Sequence, residues 1–168
     1  MIDSSPLICV MGVSASGKST VGAALAAALG VPFADADALH SEGNRQKMTA
    51  GIPLTDEDRW PWLDAVGARM HDARSTGLVM ACSALRRAYR DRIRAVAPDV
   101  VFVHLNGSRE LLADRIRERH DHFMPPALLD SQLATLEPLQ ADEAGLVADV
   151  ATPVAGLVDD VAARLRAR

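Results

Sequence analysis

The stretch VMGVSASGKST, residues 10–20, decides the fold class of this chain. Within it, residues 12–19 fit the spacing G-x-x-x-x-G-K-[ST]. The apolar run PLICVMGV (6–13) leads into this stretch, and the alanine-rich helical pattern STVGAALAAAL (19–29) follows it and ends at Gly30. A plain turn between a buried strand and a helix accounts for the two glycines, but it does not require the Lys-Ser pair.

That spacing has a physical reason if the loop holds phosphate groups. Glycines let successive backbone N–H groups point inward at phosphate oxygens, and the helix that follows adds the positive end of its dipole. Lys18 would neutralise the terminal phosphates and the Ser19 hydroxyl would bind Mg²⁺. Of the eighteen cationic residues, sixteen are arginines and only two are lysines. A lysine at position 18 in such an arginine-rich chain suggests that the loop needs a compact ammonium group there, because a guanidinium group would not fit the cradle. The predicted nucleotide-binding residues are Gly12, Ser14, Ala15, Ser16, Gly17, Lys18, Ser19 and Thr20.

The rest of the chain alternates short apolar runs with longer helical patterns, which predicts an α/β fold. The predicted strands after the first are 31–37, 77–83, 99–107 and 146–151, and the predicted helices after the first are 41–49, 56–75, 84–96, 108–120 and 154–167. Near-continuous apolar strands separated by helices indicate a parallel sheet covered on both faces, in three layers. Thr55 with Asp58, and Ser108, have the positions of helix N-caps.

Composition limits the classes of function. A chain of 168 residues with 49% hydrophobic and 24% charged residues is typical of one globular domain. Its net charge of −4 argues against a nucleic-acid or anionic-membrane partner. No apolar run approaches the roughly 20 residues that span a bilayer, and the N-terminus lacks a basic signal region, so a cytoplasmic location is the default expectation. Cys9 and Cys82 lie in or beside apolar runs and are expected to be small core residues.

Carboxylates follow the second predicted strand. Asp35 and Asp37 are spaced so that, in extended chain, both side chains lie on one face. In a parallel sheet ligands bind beyond the carboxyl ends of the strands, where these residues and the phosphate loop meet. One carboxylate would act through the metal, and the other could orient or deprotonate an attacking alcohol. The alternative is a pair of solvated loop carboxylates.

Arginines at two further sites could contact anionic ligands. Arg115 and Arg119 share one helix face and could stabilise charge over the phosphates, although a solvated cationic face explains them as well. Arg86 and Arg90 share a face near the end of the third strand, which favours a small anionic substrate. The motif HDHF (120–123) lacks a third metal ligand nearby, so it indicates a loop after the helix rather than a metal site.

Several segments together resemble one family, the gluconokinases of the P-loop kinase group. The resemblance covers nearly the whole chain in collinear order, and its segments are GVSASGKST (12–20), DADALHSEGNRQKMTAGIPLTDEDRWPWL (35–63), CSALRRAYRDRIR (82–94), FVHLNGSRELLADRIRERHDHFMPPALLDSQLATLEPL (102–139) and ADE (141–143). Many families share the phosphate loop. The stretches KMTAGIPLTDEDRWPWL and CSALRRAYRD are much more specific, and the related nucleoside-monophosphate and shikimate kinases lack them.

The resemblance implies a reaction and an architecture. The reaction would be ATP-dependent, Mg²⁺-assisted phosphorylation of D-gluconate at its 6-hydroxyl, with a product that feeds the pentose phosphate or Entner–Doudoroff route. The architecture would be a single P-loop kinase domain over residues 1–168 with a parallel sheet of order 2-3-1-4-5. It would include a substrate-binding helical segment at about 38–76 and a mobile lid at about 119–126, and it would commonly form a homodimer.

The resemblance also implies roles for single residues. Asp37 would face the sugar hydroxyl, with Asp35 and Ser19 nearer the metal, and Arg115 and Arg119 would contact the nucleotide from the lid side. The implied catalytic residues are Lys18, Asp37 and Arg119, and the implied substrate-binding residues are Asp37, His40, Lys47, Arg59, Ser83, Arg90 and His122.

The chain departs from the family pattern at two places. Ala15 stands where glycine is usual, which would cost roughly 1 kcal/mol if the position needs a positive φ. His120 and Asp121 stand where lysine and glycine are common. The two departures bear on the geometry of the loop and the lid and not on the reaction. Two alternative functions stay open, a kinase of another small hydroxylated acid such as shikimate and a nucleotide-binding switch or interaction module. The acceptor-side carboxylates argue against a switch.

Overall fold

A five-stranded parallel sheet forms the centre of the part of the protein that the structure describes. The computed structural model describes residues 5–118 and 126–168. Its strands are β1 (Leu7–Met11), β2 (Phe33–Asp35), β3 (Leu78–Ala81), β4 (Val101–Asn106) and β5 (Gly145–Asp149), and they lie in the order β2-β3-β1-β4-β5. This confirms the predicted fold class and the strand order 2-3-1-4-5.

Seven helices are seen among the described residues. They are α1 (Lys18–Leu29), α2 (Glu42–Thr49), α3 (Asp56–Asp72), α4 (Arg87–Val96), α5 (Arg109–Glu118), α6 (Pro126–Thr135) and α7 (Val154–Arg166), with a short 3-10 turn at Ala36–Leu39. The sequence patterns assigned no element to the α6 region. The predicted caps are confirmed, because Thr55 and Asp58 form a reciprocal capping box and the Ser108 hydroxyl accepts the backbone N–H of Leu111.

The sheet buries side chains on both faces, as a parallel sheet between two helical layers must. Every residue of β1 is buried, and alternate residues enter opposite cores: Ile8 and Val10 join one, Cys9 and Met11 the other. The first core is completed by α1 and α7, and the second by α3 and α4, as the buried residues of these helices show. Both cysteines are buried as predicted. Among the described residues, no helix has the length and apolarity needed to cross a bilayer.

One glycine fixes the path of the chain from the sheet into the phosphate loop. Gly12 has a φ of +152°, and a Cβ there would lie 2.8 Å from the Ser16 hydroxyl oxygen and 3.0 Å from the carbonyl oxygen of Leu105. Its N–H donates to the carbonyl oxygen of Ser83 at 3.3 Å, just beyond β3. The close packing that only glycine permits therefore seats the loop on the carboxyl ends of the central strands.

Candidate active site

The loop between β1 and α1 has the internal bonds of a compact cradle. The Ser16 hydroxyl donates to the carbonyl oxygen of Val13 at 2.6 Å, and Lys18 Nζ donates to the same oxygen at 3.1 Å. Gly17, at the N-cap of α1, has a φ of +89° and no side chain to cap the helix. The N-terminus of α1 therefore has no side-chain cap and its dipole can favour an anion, as the predicted phosphate cradle requires.

Ala15 adopts the conformation that the family's usual glycine would favour. Its φ is +68°, in the left-handed region, although alanine carries a Cβ. Because Ala15 has a positive φ, its Cβ strains the backbone by roughly 1 kcal/mol. Ala15 also lines the cavity beside the phosphate loop, so the strained residue lies in the wall of that cavity.

The predicted metal residues lie in direct contact. The Ser19 hydroxyl donates to Asp35 Oδ2 at 2.9 Å, and Asp35 Oδ1 accepts the backbone N–H of Asp37 at 2.9 Å. A hydroxyl and a carboxylate side by side are oxygen donors of the type that Mg²⁺ prefers, so the residues fit that ion. The strand predicted over 31–37 ends at Asp35, because the Asp35 carboxylate caps the 3-10 turn that holds Asp37.

The carboxyl group of Asp37 has a raised pKa. Partial burial of its carboxyl group and the negative charge of Asp35 raise its pKa above the ordinary value, while His40 and Lys18 act in the opposite direction. These influences place Asp37 within electrostatic reach of the metal-side carboxylate, the loop lysine and His40. A carboxylate with a raised pKa is a better proton acceptor than a solvated one.

His40 and Lys47 are held by neighbouring helices. The His40 ring stacks on Trp62 with centroids 4.2 Å apart, and its Nδ1 lies 3.2 Å from Asn44 Nδ2. Burial lowers the pKa of His40, with Asp37 raising it and Arg59 lowering it further. Lys47 Nζ lies 2.8 Å from Asp58 Oδ2.

Arg59 and Ser83 lie on the α3 and β3 sides of the site. Arg59 Nη1 donates to the carbonyl oxygen of Leu54 at 2.8 Å and to the Tyr89 hydroxyl at 3.3 Å. Arg59 and Arg86 both pair with Asp56, at 3.6 Å and 3.7 Å. The Tyr89 hydroxyl donates to Asp56 at 2.5 Å. Two partly exposed guanidinium groups thus converge between the N-terminal ends of α3 and α4.

The prediction that Arg90 binds the substrate is wrong, because its side chain is fully buried. Its Nε and Nη2 donate to the two Glu143 carboxylate oxygens at 2.7 Å and 3.0 Å, and its Nη1 donates to the Ala84 carbonyl oxygen at 2.9 Å. Burial opposes ionisation of Glu143, but hydrogen bonds from Arg90, the Gln140 backbone and Arg94 outweigh it and lower its pKa to about 2. Arg90 is therefore a structural cation between α4 and the segment before β5.

A cavity of about 280 Å³ adjoins the phosphate loop on the α5 and α7 side. Arg115, which the sequence predicts to contact the nucleotide, lines this cavity and donates to the carbonyl oxygen of Val150. Thr152 and Val154 line it too, although the sequence patterns did not single them out. They follow β5, so the rule that ligands bind beyond the carboxyl ends of strands would have found them.

Two further contacts were not predicted. The Gln132 side-chain oxygen accepts the backbone N–H of Ser14 at 2.7 Å, which joins α6 to the phosphate loop. Asn44 is buried at the centre of the His40 contacts. Neither residue carries a local motif, and Gln132 is 118 positions from its partner. Arg119 and His122 lie outside the described residues, as do His120, Asp121 and the rest of 119–125.

Comparison with known proteins joins this geometry to a family. A family model described as an AAA domain matches residues 7–139. The gluconokinase of Gluconobacter oxydans (strain 621H) is 48% identical over 142 residues, which cover 81% of this chain and 78% of that protein. The chain belongs to the gluconokinase family. A second member of the gluconokinase family, a probable gluconokinase of Xenopus tropicalis, is 42% identical over 172 residues, covering 92% of this chain and 90% of its own length.

A solved gluconokinase structure agrees with the fold. The crystal structure of a gluconokinase from Sinorhizobium meliloti 1021 matches with a TM-score of 0.87 at 49% identity, and the match covers 95% of this chain and 93% of that one. Membership of the gluconokinase family makes the chain a kinase with the P-loop kinase fold.

Proposed function

We propose that this protein transfers the γ-phosphoryl group of ATP to the 6-hydroxyl of D-gluconate, giving 6-phospho-D-gluconate and ADP. The observation that carries the proposal is the set Ser19, Asp35 and Asp37 beside the phosphate loop, with Ser19 bonded to Asp35 at 2.9 Å. A nucleotide-binding switch has no need of a carboxylate with a raised pKa on the acceptor side. This arrangement supports phosphoryl transfer to an alcohol.

The residues of the loop would bind and orient the triphosphate. Backbone N–H groups within the loop and at the N-terminus of α1 would supply donors, and Lys18 would supply positive charge at the terminal phosphates. Ser19 and Asp35 would hold Mg²⁺, which when bound neutralises charge on the phosphates. Asp37 would orient the acceptor hydroxyl and accept its proton, and Arg115 and Arg119 would contact the nucleotide, with Arg119 offsetting charge that develops during transfer.

The sugar acid would occupy the polar surface beside Asp37. The proposed contacts to the sugar acid are those that the family resemblance implies, apart from Arg90: His40, Lys47, Arg59, Ser83 and His122. Without Arg90, Arg86 becomes the second guanidinium beside Arg59 near Asp56. An arginine pair matches the planar carboxylate of the substrate.

The proposal extends to the organisation of the chain. Residues 1–168 form one kinase domain, with a substrate-binding segment at about 38–76 and a lid at about 119–126. The protein acts as a cytoplasmic homodimer, and its product feeds the pentose phosphate or Entner–Doudoroff route.

A coupled ADP-release assay with a panel of sugar acids and shikimate tests the reaction. We expect turnover with D-gluconate that requires both ATP and Mg²⁺, and a product whose phosphorus couples to the protons on C6 in NMR spectra. Turnover with shikimate and none with gluconate would overturn the substrate assignment. Tight ATP binding without turnover of any acceptor would favour the switch.

The role of Asp37 has its own test. Replacing Asp37 with asparagine removes the proton acceptor but keeps the shape, so we expect kcat to fall by about 10²–10⁴-fold while the KM for ATP stays within about twofold. Asp72→Asn, at the exposed end of α3, is the matched control and should leave both constants unchanged. Activity retained in the Asp37 variant would remove this residue from the acceptor role.

A further inference from the structure

The imidazole ring of His40 is held in one orientation by two neighbours. It stacks nearly parallel on the indole of Trp62, with an interplanar angle of 13°. The indole is itself fixed, because Trp62 Nε1 donates to the carbonyl oxygen of Ala36 at 2.8 Å. At the edge of the ring, His40 Nδ1 lies 3.2 Å from Asn44 Nδ2. Ring plane and ring edge are therefore both determined by residues outside the His40 segment.

The orientation of the Asn44 amide decides which ring nitrogen carries the proton. Asn44 Nδ2 also donates to the backbone carbonyl oxygen of Asp58 at 2.9 Å. A carbonyl oxygen can only accept, so the amide nitrogen, not the amide oxygen, must lie on this side of Asn44. That nitrogen is a donor toward His40 too, and Nδ1 must accept without a proton of its own. In the neutral ring the single proton then lies on Nε2.

We propose that Asn44 is a positioning residue that holds His40 as its Nε2–H tautomer, so that this N–H is a fixed donor to an oxygen of the bound sugar acid. The proposal rests on the proposed function, in which His40 contacts the substrate. It adds the residue that sets the chemical form of that contact. Among the described residues none hydrogen-bonds to Nε2, which leaves this atom for a ligand.

The charges around the ring suit a neutral donor. Burial lowers the pKa of His40. The negative charge of Asp37 raises this pKa, and the positive charges of Arg59 and Arg45 lower it further. These groups come from the 3-10 turn, α3 and α2, the elements packed against the ring. A neutral His40 donates a hydrogen bond without placing a full positive charge beside Asp37, which would weaken that carboxylate as a proton acceptor.

Asn44 is built into the junction of three elements. Its side chain is buried, and its backbone N–H donates to the hydroxyl of Ser41, the N-cap of α2, at 3.1 Å. Its side-chain amide donates to the carbonyl oxygen of Asp58 in the first turn of α3. A purely structural role, tying α2 to α3, would use the bond to Asp58 alone. The two roles differ in one measurable property, the protonation pattern of His40.

Long-range ¹H–¹⁵N spectra of the histidine rings test the proposal in the full-length protein. The His40 signals are assigned by their loss in a His40→Gln variant. At a pH where the ring is neutral we expect the Nε2–H pattern in the unmodified protein. Asn44→Asp, which offers an acceptor to Nδ1, should shift His40 toward the Nδ1–H form, and Asn44→Leu should mix the two tautomers.

Ser41→Ala is the matched control, because it weakens the start of α2 without touching the ring. It should lower stability and leave the His40 pattern unchanged. An Nδ1–H pattern in the unmodified protein would overturn the proposal, and that spectrum decides the question even if the variants fail to fold. A single unchanged tautomer in a folded Asn44→Leu variant would overturn it as well.

Kinetics and titration with gluconate separate this proposal from the proposed function. For Asn44→Leu we expect the KM for gluconate to rise about tenfold, as for loss of one well-placed hydrogen bond, with the KM for ATP within about twofold. Adding gluconate should move the Nε2 signal of the unmodified protein and not that of Nδ1. If His40 is the Nε2–H tautomer but its Nε2 signal does not move when gluconate is added, the substrate contact is refuted, and this proposal with it. The kinase reaction itself would still be tested separately by the ADP-release assay.

Discussion

Replacing Ala15 with glycine should stabilise the protein, although glycine usually destabilises. Ala15 has a φ of +68°, where a Cβ costs about 1–2 kcal/mol. Glycine removes that strain but gains freedom in the unfolded chain, which is worth about 0.4–1 kcal/mol in the opposite direction. The midpoints of the two ranges, about 1.5 and about 0.7 kcal/mol, predict a net increase of about 0.8 kcal/mol in the free energy of unfolding. For a chain of this size that raises Tm by about 2 °C.

Urea denaturation, read by circular dichroism, measures the effect, with Ala28→Gly as the matched control. Ala28 lies exposed in the last turn of α1, where the same change should lower the free energy of unfolding by about 1 kcal/mol. The two variants should thus differ in sign. If Ala15→Gly loses as much stability as the control, the strain assigned to the loop does not exist.

Three further outcomes follow from other contacts. Glu143→Gln should lower the free energy of unfolding by about 3–5 kcal/mol, because it leaves the buried Arg90 without its counter-ion; a loss no larger than that of the exposed Asp142→Asn would contradict this. Gln132→Glu places a negative charge at the Ser14 N–H, and we expect the KM for ATP to rise at least about fivefold, since unit charges 4 Å apart in water repel by about 1 kcal/mol. Gln132→Met, which adds no charge, should change it less, and equal effects would refute the electrostatic reason. Burial lowers the pKa of both His40 and His104 from 6.5, so the unfolded state binds protons first as pH falls. Unfolding free energies should therefore decrease below about pH 6.5, by up to about 1.4 kcal/mol per pH unit for each ring; constant values between pH 7 and pH 5 would disprove this.

The parts of the site that depend on local spacing could be predicted from the sequence. The loop, the start of α1 and the capping box at Thr55 each follow from residues a few positions apart, whose geometry is fixed by the backbone. Ser19 and Asp35 are 16 positions apart, yet the rule for parallel sheets brings them to the same edge. The strand order came from the resemblance to a family and not from the pattern of apolar runs.

The contacts that could not be predicted join distant segments without a motif. Arg90 looked like a substrate ligand because Arg86 and Arg90 share a helix face near a strand end. Its partner Glu143 lies 53 positions away, in an irregular segment whose path no periodicity reveals. In helix α6 the polar and apolar residues do not separate onto two faces, so the sequence shows no helical pattern there. The position of Gln132 could therefore not be predicted. Burial of a charged side chain depends on packing of the whole fold, which a local pattern does not contain.

The burial of both cysteines makes this protein suited to thiol-labelling experiments. Cys9 and Cys82 are 0% and 2% exposed, and these are the only cysteines in the chain. The hydrogen bond with Cys82 and burial raise the pKa of Cys9 well above its ordinary value, which suppresses the reactive thiolate. Cys9 lies on the central strand β1, so a dye can reach it only when the sheet opens. The rate of its labelling in native buffer would time the opening of the molecule's centre, and saturating ATP should slow it if the phosphate loop and β1 open as one unit.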